Sequence, residues 1–409
     1  MDKQKRCGLI GEKLGHSFSP AIHGKLAGYE YKLYELSPEQ VGPFLEKKEY
    51  DGLNVTIPYK KTVIPYCDQL TEAARSIGSV NTIVKRPDGT LLGHNTDYDG
   101  FLWLLKNARA DVKGKKAVVL GTGGASVTVQ AALRDLGAAP VVVISRSGED
   151  NYENLDRHSD AKILVNATPV GMYPKAGVSP VDLELFPALE GVFDVVYNPA
   201  RTQLLLEAEK RGIPCANGLG MLVAQAKAAC ERFTGQAIDD EKVYTIKAEM
   251  ERNTRNIMLI GMPGSGKSTV GAALAEKLGR KLVDVDERIV EMAGSSIPEI
   301  FAKDGEEGFR RIEHQALCEV SQESGLVIAT GGGVVTRQEN FDPMRQNSLI
   351  VWLLRDLALL PKDGRPLSQT NSLTEMFKVR EPMYRAAADC IADNNGSVED
   401  TVKQILEAM

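Results

Sequence analysis

The most distinctive chemistry of this 409-residue chain lies in the segment GMPGSGKS, residues 261–268. It follows the G-x-x-x-x-G-K-S pattern of a phosphate-binding loop, and an apolar segment (257–260) precedes it as a strand should. Such glycines let backbone N–H groups curl around phosphates at a helix N-terminus. Lys267 is then expected to reach the β- and γ-phosphates, and Ser268 to ligate Mg²⁺. The predicted nucleotide-binding residues are Gly264, Ser265, Gly266, Lys267, Ser268 and Thr269.

A pair of carboxylates ends the next apolar segment, at Val283-Asp284-Val285-Asp286. Residues i and i+2 share one face of a strand, so both carboxylates are expected to point into the same cleft. One could complete the magnesium shell while the other contacts a substrate hydroxyl. An acid pair at a strand end is also typical of a turn or a helix cap. The residues alone leave both interpretations open.

The same third of the chain contains a glycine run and several arginines. Gly331, Gly332 and Gly333 follow an apolar segment (326–329), which suits backbone lying close to a ligand. The candidate cations of this region are Arg310, Arg365 and Arg385. Each, taken singly, is more typical of a solvated surface residue than of a binding site.

A second glycine-rich turn, at residues 121–124, follows the apolar segment 117–120. Gly121, Gly123 and Gly124, with the small Ser126, predict a dinucleotide-binding turn between a strand and a helix. The next predicted strand, 141–144, ends in Ser145-Arg146-Ser147 instead of an acid. An acid would accept from a ribose 2′-hydroxyl, whereas Arg146 suits a 2′-phosphate and favours NADP over NAD. Arg146 could equally be a surface residue.

Several polar residues near the amino terminus are not required by hydrophobic periodicity. Ser17 and Ser19 precede Pro20, where turn or helix-capping residues are common. Lys60 could be a solvated lysine, and Asn81 and Asp97 would ordinarily lie in loops. On their own these residues do not predict a site.

The elements that must position these groups are those of an α/β protein. Each glycine-rich turn opens a βα unit with a parallel sheet behind it, and a polar stretch (241–255) places a domain break near 250–255.

Apolar residues make up 43% and charged residues 25%, so a disordered, collagen-like or coiled-coil chain is excluded. The net charge of −6 favours neither nucleic acid nor anionic membranes. The six cysteines are far apart, and neither a leader nor a membrane segment is evident, so we expect a reducing cytoplasm.

The carboxy-terminal motifs, taken together, resemble shikimate kinase over residues 255–409. They are GMPGSGKST, LVDVDERI, IFAKDGEEGFRRIE, ATGGGVV, GRPL and REPMYRAAAD, in family order. The resemblance implies that Asp284 lies on the Mg²⁺ side and that Arg365 is a lid arginine facing the transferred phosphoryl group. It assigns shikimate binding to Asp286, Arg310, Gly332 and Arg385. Asp286 would also orient or deprotonate the attacking hydroxyl, with Lys267 on the phosphates.

The amino-terminal motifs resemble shikimate dehydrogenase from residue 7 to about residue 235. They are GLIGEKLGHSFSPAIH, NVTIPYKK, GSVNTIV, GHNTDYDG, GTGGAS, NATPVGM, DVVYNPARTQLL and NGLGMLVAQA. The resemblance makes Lys60 and Asp97 the catalytic pair. It assigns the substrate to Ser17, Ser19, Thr56, Asn81, Asp97 and Gln225. NADP would contact Gly121, Gly123, Gly124, Ala125, Arg146 and Met221.

The sequence therefore predicts a bifunctional enzyme that reduces 3-dehydroshikimate with NADPH and phosphorylates shikimate with Mg-ATP. The expected domains are an α/β substrate domain (1–100, completed by a helix within 217–250), a Rossmann-like NADP domain (101–216) and a P-loop, NMP-kinase-like domain (255–409). Only residues 148–165 separate Ser147 from Asn166, which is short for the family. Two alternatives follow: a kinase fused to a non-catalytic shikimate-binding or regulatory module, or a quinate/shikimate dehydrogenase that uses NAD.

Overall fold

A computed structural model describes residues 5–15, 17–360 and 373–409 of the chain. These residues divide into two compact units. The first unit comprises Met1–Gly171, Val178–Tyr197 and Glu207–Glu249. The second unit comprises Met172–Gly177, Asn198–Leu206 and Met250–Met409. The second unit therefore starts close to the expected break at 250–255, but it also includes two short segments from the preceding part of the chain.

The first unit contains a mixed sheet in its amino-terminal part. In the described residues its strand order is β2-β1-β3-β5-β6-β4. The strands are β1 (Arg6–Gly11), β2 (Glu30–Glu35), β3 (Gly52–Val55), β4 (Gln69–Leu70), β5 (Thr82–Lys85) and β6 (Leu91–His94). β1 runs parallel to both of its neighbours, whereas β5 runs antiparallel to β3 and β6.

A second sheet of the first unit is parallel throughout its described strands, with the order β11-β10-β9-β7-β8. Its strands are β7 (Ala117–Leu120), β8 (Val141–Ile144), β9 (Ile163–Asn166), β10 (Gly191–Asp194) and β11 (Cys215–Ala216). β7, β9 and β10 are buried along their whole length, as expected for a parallel sheet covered on both faces. The described connection from β8 to β9 contains a 3₁₀ turn (Leu155–His158) and no α-helix, consistent with the short spacing in the sequence.

Helices α4 and α7 pack against each other closely in the first unit. A Cβ atom on Gly100 of α4 would lie 2.6 Å from the carbonyl oxygen of Met221 on α7, so glycine permits this approach. The helices between residues 19 and 254 are α1 (Ser19–Leu26), α2 (Pro38–Lys47), α3 (Glu72–Ile77), α4 (Thr96–Asn107), α5 (Gly124–Asp135), α6 (Gln203–Lys210), α7 (Leu219–Thr234) and α8 (Glu241–Thr254). The close packing sets α7 beside the N-terminal turn of α4.

The second unit is built on a parallel sheet with the order β13-β14-β12-β15-β16. The strands are β12 (Asn256–Ile260), β13 (Leu282–Asp284), β14 (Val327–Ala329), β15 (Ser348–Leu354) and β16 (Cys390–Asp393). The helices are α9 (Lys267–Leu278), α10 (Val285–Ala293), α11 (Ile297–Ser321), α12 (Phe341–Asn347), α13 (Leu373–Ala387) and α14 (Val398–Glu407). Alternate residues of β12 join two separate buried clusters, so helices cover both faces of the sheet.

These sheets confirm the predicted α/β class with parallel sheets. None of the described helices has the length and apolar character needed to cross a membrane. Both glycine-rich turns lie where the sequence predicts them, directly after β7 and β12 and before α5 and α9. In a parallel sheet such turns lie at the carboxyl ends of the strands, where ligands of open α/β sheets bind.

Candidate active sites

The first unit contains a cavity of about 480 Å³ beside the turn that follows β3. Nine of the predicted site residues line it: Ser17, Ser19, Thr56, Lys60, Asn81, Asp97, Ala125, Met221 and Gln225. These residues come from loops, from the first residues of α1 and α5, and from α4 and α7, and they extend in sequence from residue 17 to residue 225. The fold thus gathers the predicted substrate residues and two of the predicted cofactor residues around one space.

Lys60 and Asp97 form an ion pair in this cavity, with 2.6 Å between Lys60 Nζ and Asp97 Oδ2. Their side chains are 21% and 16% exposed, so the pair is sheltered but reachable. Lys60 lies in a turn whose backbone accepts a hydrogen bond from Val80 N. Asp97 lies in the first turn of α4, whose N-cap residue Asn95 accepts from Tyr98 N. An ammonium held by a carboxylate can donate a proton to a developing alkoxide.

A hydrogen bond to its side-chain oxygen fixes the amide group of Asn81. Its Oδ1 accepts from the backbone N–H of Thr96 at 2.6 Å, which leaves its N–H groups as the donors for a ligand. Gln225 donates through Nε2 to Leu222 O on its own helix. With the hydroxyls of Ser17 and Ser19, these amides suit a small ligand rich in hydroxyl and carboxylate oxygens.

The glycine-rich turn before α5 has the geometry of an anion cradle. Gly121 has φ +100°, and a Cβ there would lie 2.7 Å from Thr168 Cγ2, so the turn requires glycine. Cβ atoms on Gly123 or Gly124 would meet no described atom within 4 Å, so the space beside the helix N-terminus is open. Exposed N–H groups and the helix dipole there favour a diphosphate. Arg146 follows β8 and is exposed, outside the cavity described above.

The second unit contains a cavity of about 560 Å³ above the phosphate-binding loop. The predicted residues that line it are Gly264, Gly266, Lys267, Ser268, Thr269, Asp284, Asp286, Arg310 and Gly332. Ser265 is buried beneath the loop, where its carbonyl oxygen accepts from Asn394 Nδ2. Arg365 lies outside the described residues.

The phosphate-binding loop has the conformation that its glycines allow, with φ +79° at Gly264 and +92° at Gly266. Lys267 Nζ donates to the carbonyl oxygens of Gly261 and Met262 at 3.0 Å each. Ser268 Oγ donates to Asp284 Oδ2 at 2.7 Å. This hydroxyl–carboxylate pair supplies oxygen ligands of the kind that Mg²⁺ prefers. The loop and the pair therefore fit a magnesium–nucleotide complex.

The expected strand geometry of the two aspartates is wrong in one respect. β13 ends at Asp284, and α10 begins at Val285, so Asp286 lies in the first turn of a helix instead of on a strand face. Asp284 Oδ1 accepts from Asp286 N and caps this helix, as the capping alternative predicted. The other carboxylate oxygen, Oδ2, accepts from Ser268 Oγ. Asp284 therefore caps α10 and also faces the proposed metal site.

A buried ion pair stands on the opposite wall of this cavity. Arg310 Nη1 donates to Glu313 Oε2 at 2.7 Å on α11, and their side chains are only 5% and 1% exposed. Burial raises the pKa of Glu313 above its usual value, and the positive charge of Arg310 opposes that rise. Gly333 packs so closely on the guanidinium that a Cβ there would lie 2.3 Å from two of its nitrogens. The arginine is thus fixed in one orientation.

The structure does not bring Arg385 to the cavity, contrary to the prediction. Arg385 is exposed, pairs with Glu381 and lies over the Trp352 ring. Arg380 lines the cavity in its place, with Nη1 donating to Gly332 O at 3.1 Å. Five residues rotate a side chain by about 140° around a helix, so the two arginines face different ways.

Helical periodicity could have identified Arg380 from the sequence. The buried residues of α13 are Met376, Arg380, Tyr384 and Ala387, which form one stripe, and Arg385 is not part of it. Glu313 was also missed, although its i+3 spacing from Arg310 is a helical ion-pair signal. In the first unit, Lys13, Asn54 and Tyr197 line the cavity without having been predicted. No local pattern distinguishes those three.

The three described sheets and the two cavities define an oxidoreductase-like unit with a dinucleotide turn and a P-loop kinase-like unit. Residues 9–83 match the family model of the shikimate dehydrogenase substrate binding domain, and residues 263–409 match that of shikimate kinase. The chain is 37% identical over 273 residues to shikimate dehydrogenase (NADP(+)) of Caldanaerobacter subterraneus subsp. tengcongensis, covering 59% of this chain and 96% of that protein. The chain therefore belongs to the shikimate dehydrogenase family, and it carries a shikimate kinase family domain.

Solved structures agree with this assignment for the first part of the chain. A chorismate mutase/shikimate 5-dehydrogenase fusion protein from Clostridium acetobutylicum is 37% identical with a TM-score of 0.59, covering 61% of this chain and 98% of that one. Quinate dehydrogenase from Corynebacterium glutamicum in complex with NAD is 28% identical with a TM-score of 0.56, covering 60% and 98%. The family matches confirm the resemblance of the sequence motifs to shikimate dehydrogenase and to shikimate kinase.

Proposed function

We propose that this chain catalyses two successive reactions, the NADPH-dependent reduction of 3-dehydroshikimate to shikimate and the Mg-ATP-dependent phosphorylation of the shikimate 3-hydroxyl. One observation carries the proposal: each of two cavities, in different units, holds the charged groups that one of these reactions requires. The family matches point in the same direction, because the two families act on one shared metabolite.

The first reaction is assigned to the cavity of the first unit. NADPH, when bound, supplies the hydride that reduces the substrate ketone. Lys60 donates a proton to the resulting alkoxide oxygen, and Asp97 holds its ammonium in position. The proposed substrate residues are Ser17, Ser19, Thr56, Asn81, Asp97 and Gln225. The proposed cofactor residues are Gly121, Gly123, Gly124, Ala125, Arg146 and Met221.

The second reaction is assigned to the cavity of the second unit. Mg-ATP, when bound, supplies the phosphoryl group that is transferred. Gly264, Ser265, Gly266, Lys267 and Thr269 hold the phosphates, and Ser268 and Asp284 hold the metal. Asp286 orients the attacking hydroxyl and takes its proton. Arg310 and Arg380, with Gly332, bind the substrate, since guanidinium groups pair with carboxylates through two hydrogen bonds. Arg365 stays a prediction as the arginine that neutralises the transferred group.

We also propose that the chain works as a substrate domain (1–100 with 217–250), a cofactor domain (101–216) and a kinase domain (255–409). The grouping of residues 172–177 and 198–206 with the second unit adds a refinement. Tyr173 donates to Ser321 O, and Gln203 donates to Asp342 Oδ2, so a kinase domain cut at residue 255 would lose these contacts.

The free cysteines among the described residues support the proposal that the protein is located in a reducing cytoplasm.

The test is one assay of the full chain with 3-dehydroshikimate, NADPH and Mg-ATP. Loss of NADPH absorbance together with a product of the mass of shikimate 3-phosphate is the expected result. Constant NADPH with phosphorylation of added shikimate would leave the first unit as a binding module. Faster turnover of quinate with NAD⁺ than of shikimate with NADP⁺ would instead favour the quinate alternative, for which the NAD-bound relative is the motivation.

A further inference from the structure

We propose that Lys13 supplies the positive charge that binds the substrate carboxylate in the first unit, a role separate from that of Lys60. The inference rests on the proposed dehydrogenase function and deepens it. Lys13 lines the same cavity as Lys60. It lies within the segment GLIGEKLGHSFSPAIH, but the sequence assigned it no role.

The charged side chains of the cavity wall leave one cation unbalanced. Among the described residues that line it, the charged side chains are Lys13, Lys60 and Asp97. Lys60 and Asp97 lie 2.6 Å apart, so they form a pair whose charges cancel. A monoanionic substrate entering a cavity with only this pair would lose hydration of its carboxylate without gaining a countercharge. Lys13 is the one described charge on the wall that no lining carboxylate balances.

The position of Lys13 suits this role. It lies in the loop between β1 and α1, which also carries Ser17, and Ser19 begins α1. The loop backbone is fixed on the carboxy-terminal side of Lys13, because Leu14 N donates to Glu35 Oε1 at 2.7 Å and Ser17 N donates to Leu14 O. Lys13 takes part in none of the ion pairs found among the described residues, and its side chain is exposed. The ammonium is therefore available at the rim, beside two hydroxyl donors.

Proton donation and neutralisation of the substrate carboxylate require two different cations, because they occur at different ends of the substrate. Lys60 must face the ketone to donate a proton, so it cannot also neutralise a carboxylate elsewhere on the substrate. A charge at the rim adds attraction that is equal in the ground state and the transition state. Such uniform binding lowers KM and leaves kcat nearly unchanged.

The experiment compares Lys13→Gln with Lys13→Arg in the full chain. The control is Lys47→Gln, an exposed lysine at the end of α2 that does not line the cavity. We expect Lys13→Gln to raise KM for 3-dehydroshikimate about tenfold, which corresponds to about 1.4 kcal/mol, with kcat within twofold. Lys13→Arg should restore KM. Raising KCl should raise the wild-type KM more than that of Lys13→Gln, because screening removes an interaction that the variant lacks.

A second arm identifies the group that Lys13 contacts. With the carboxamide analogue of 3-dehydroshikimate, Lys13→Gln and wild type should have equal KM values. An unchanged KM for 3-dehydroshikimate, a rise confined to NADPH, or equal losses in Lys13→Gln and Lys13→Arg would each overturn the proposal.

The outcome can be separated from that of the proposed function. If the wild type binds 3-dehydroshikimate without reducing it, the dehydrogenase proposal fails. The Lys13 proposal is then decided by the dissociation constant, measured by calorimetry in an Arg380→Met background that suppresses binding in the second unit. An unchanged dissociation constant in Lys13→Gln overturns it there, and a tenfold increase supports it.

Discussion

The two cavities of this chain differ in how many charged side chains line them. Among the described residues, the first unit presents hydroxyl and amide groups around three charged side chains, the sheltered ion pair Lys60–Asp97 and Lys13. Six described charged side chains line the cavity of the second unit, the cations Lys267, Arg310 and Arg380 and the carboxylates Asp284, Asp286 and Glu313. Hydride transfer creates one alkoxide that needs one proton, whereas phosphoryl transfer brings several negative charges together. The larger number of charged groups in the second cavity supports the proposed division of the two reactions between the cavities.

The two charged pairs also differ in burial. Lys60 and Asp97 keep 21% and 16% exposure, whereas Arg310 and Glu313 keep 5% and 1%. A group that exchanges protons needs access to substrate and solvent during each cycle. A group that holds a carboxylate benefits from being fixed, because less ordering is then required upon binding. The difference in burial therefore supports the proposal that the more accessible pair takes part in proton transfer and that the buried arginine binds substrate.

The largest expected effect is a selective loss of the kinase activity after a change in the phosphate-binding loop. Lys267→Ala should lower the kinase kcat by at least about 10³-fold, since the lysine balances charge on the transferred group. NADPH oxidation should stay within twofold of wild type. ADP release and NADPH absorbance, measured on one preparation, check both. Lys277→Ala, at an exposed position of the same helix, should leave both rates unchanged.

A change in the Lys60–Asp97 ion pair should have the opposite selectivity and reduce only the dehydrogenase activity. Lys60→Ala should lower the dehydrogenase kcat about 10³-fold through loss of the proton donor, with the kinase rate retained. The neighbouring exposed Lys61→Ala is the matched control. A parallel loss of both activities in Lys60→Ala would indicate misfolding and would remove this support for the contrast between the two pairs.

The assignment of binding to the buried cations is sharpened by the two arginines of α13. Arg380→Met should raise the kinase KM for shikimate about 10- to 100-fold, the range expected for loss of a charged hydrogen bond. Arg385→Met should change it less than twofold, since that side chain lies outside the cavity. A larger effect of Arg385→Met than of Arg380→Met would reverse the assignment made from the structure.

The smallest effect concerns stability and should be confined to the first unit. Burial lowers the pKa of His23 to about 3, and its ring stacks on Tyr31 at 4.1 Å. The unfolded chain, with a histidine pKa near 6.5, binds more protons between these values. The free energy of unfolding therefore falls as the pH falls below 6.5 and levels off near pH 3, with about 2 kcal/mol lost by pH 5.

The two tryptophans allow this loss to be assigned, because Trp103 lies in the first unit and Trp352 in the second. In a Trp352→Phe background, denaturation followed by fluorescence reports on the first unit at pH 7 and pH 5. His23→Phe, which cannot titrate, should reduce the difference between the two pH values by about 2 kcal/mol. An unchanged difference would show that His23 does not govern it.

Local sequence is enough to specify the features that a few neighbouring residues can set. Both glycine-rich turns, their strands and helices, and the fold class followed from local backbone preferences and hydrophobic pattern. The roles proposed for Lys60 and Asp97 were available only through resemblance to a known family, whereas the spacing of Asp284 and Asp286 already indicated a candidate site. Lys60 and Asp97 are 37 residues apart, and no periodicity connects them.

Which distant side chains meet depends instead on how each unit packs. Tertiary packing selected Arg380 over Arg385, placed Asp286 on a helix, brought Gln225 beside α4 and set Lys13 at the rim of the first cavity. Those choices depend on helix rotation, close packing at Gly100 and the closure of long loops, to which many residues contribute small terms. A short motif fixes its own conformation because its hydrogen bonds lie within it, whereas a cavity is fixed by the packing of the whole unit.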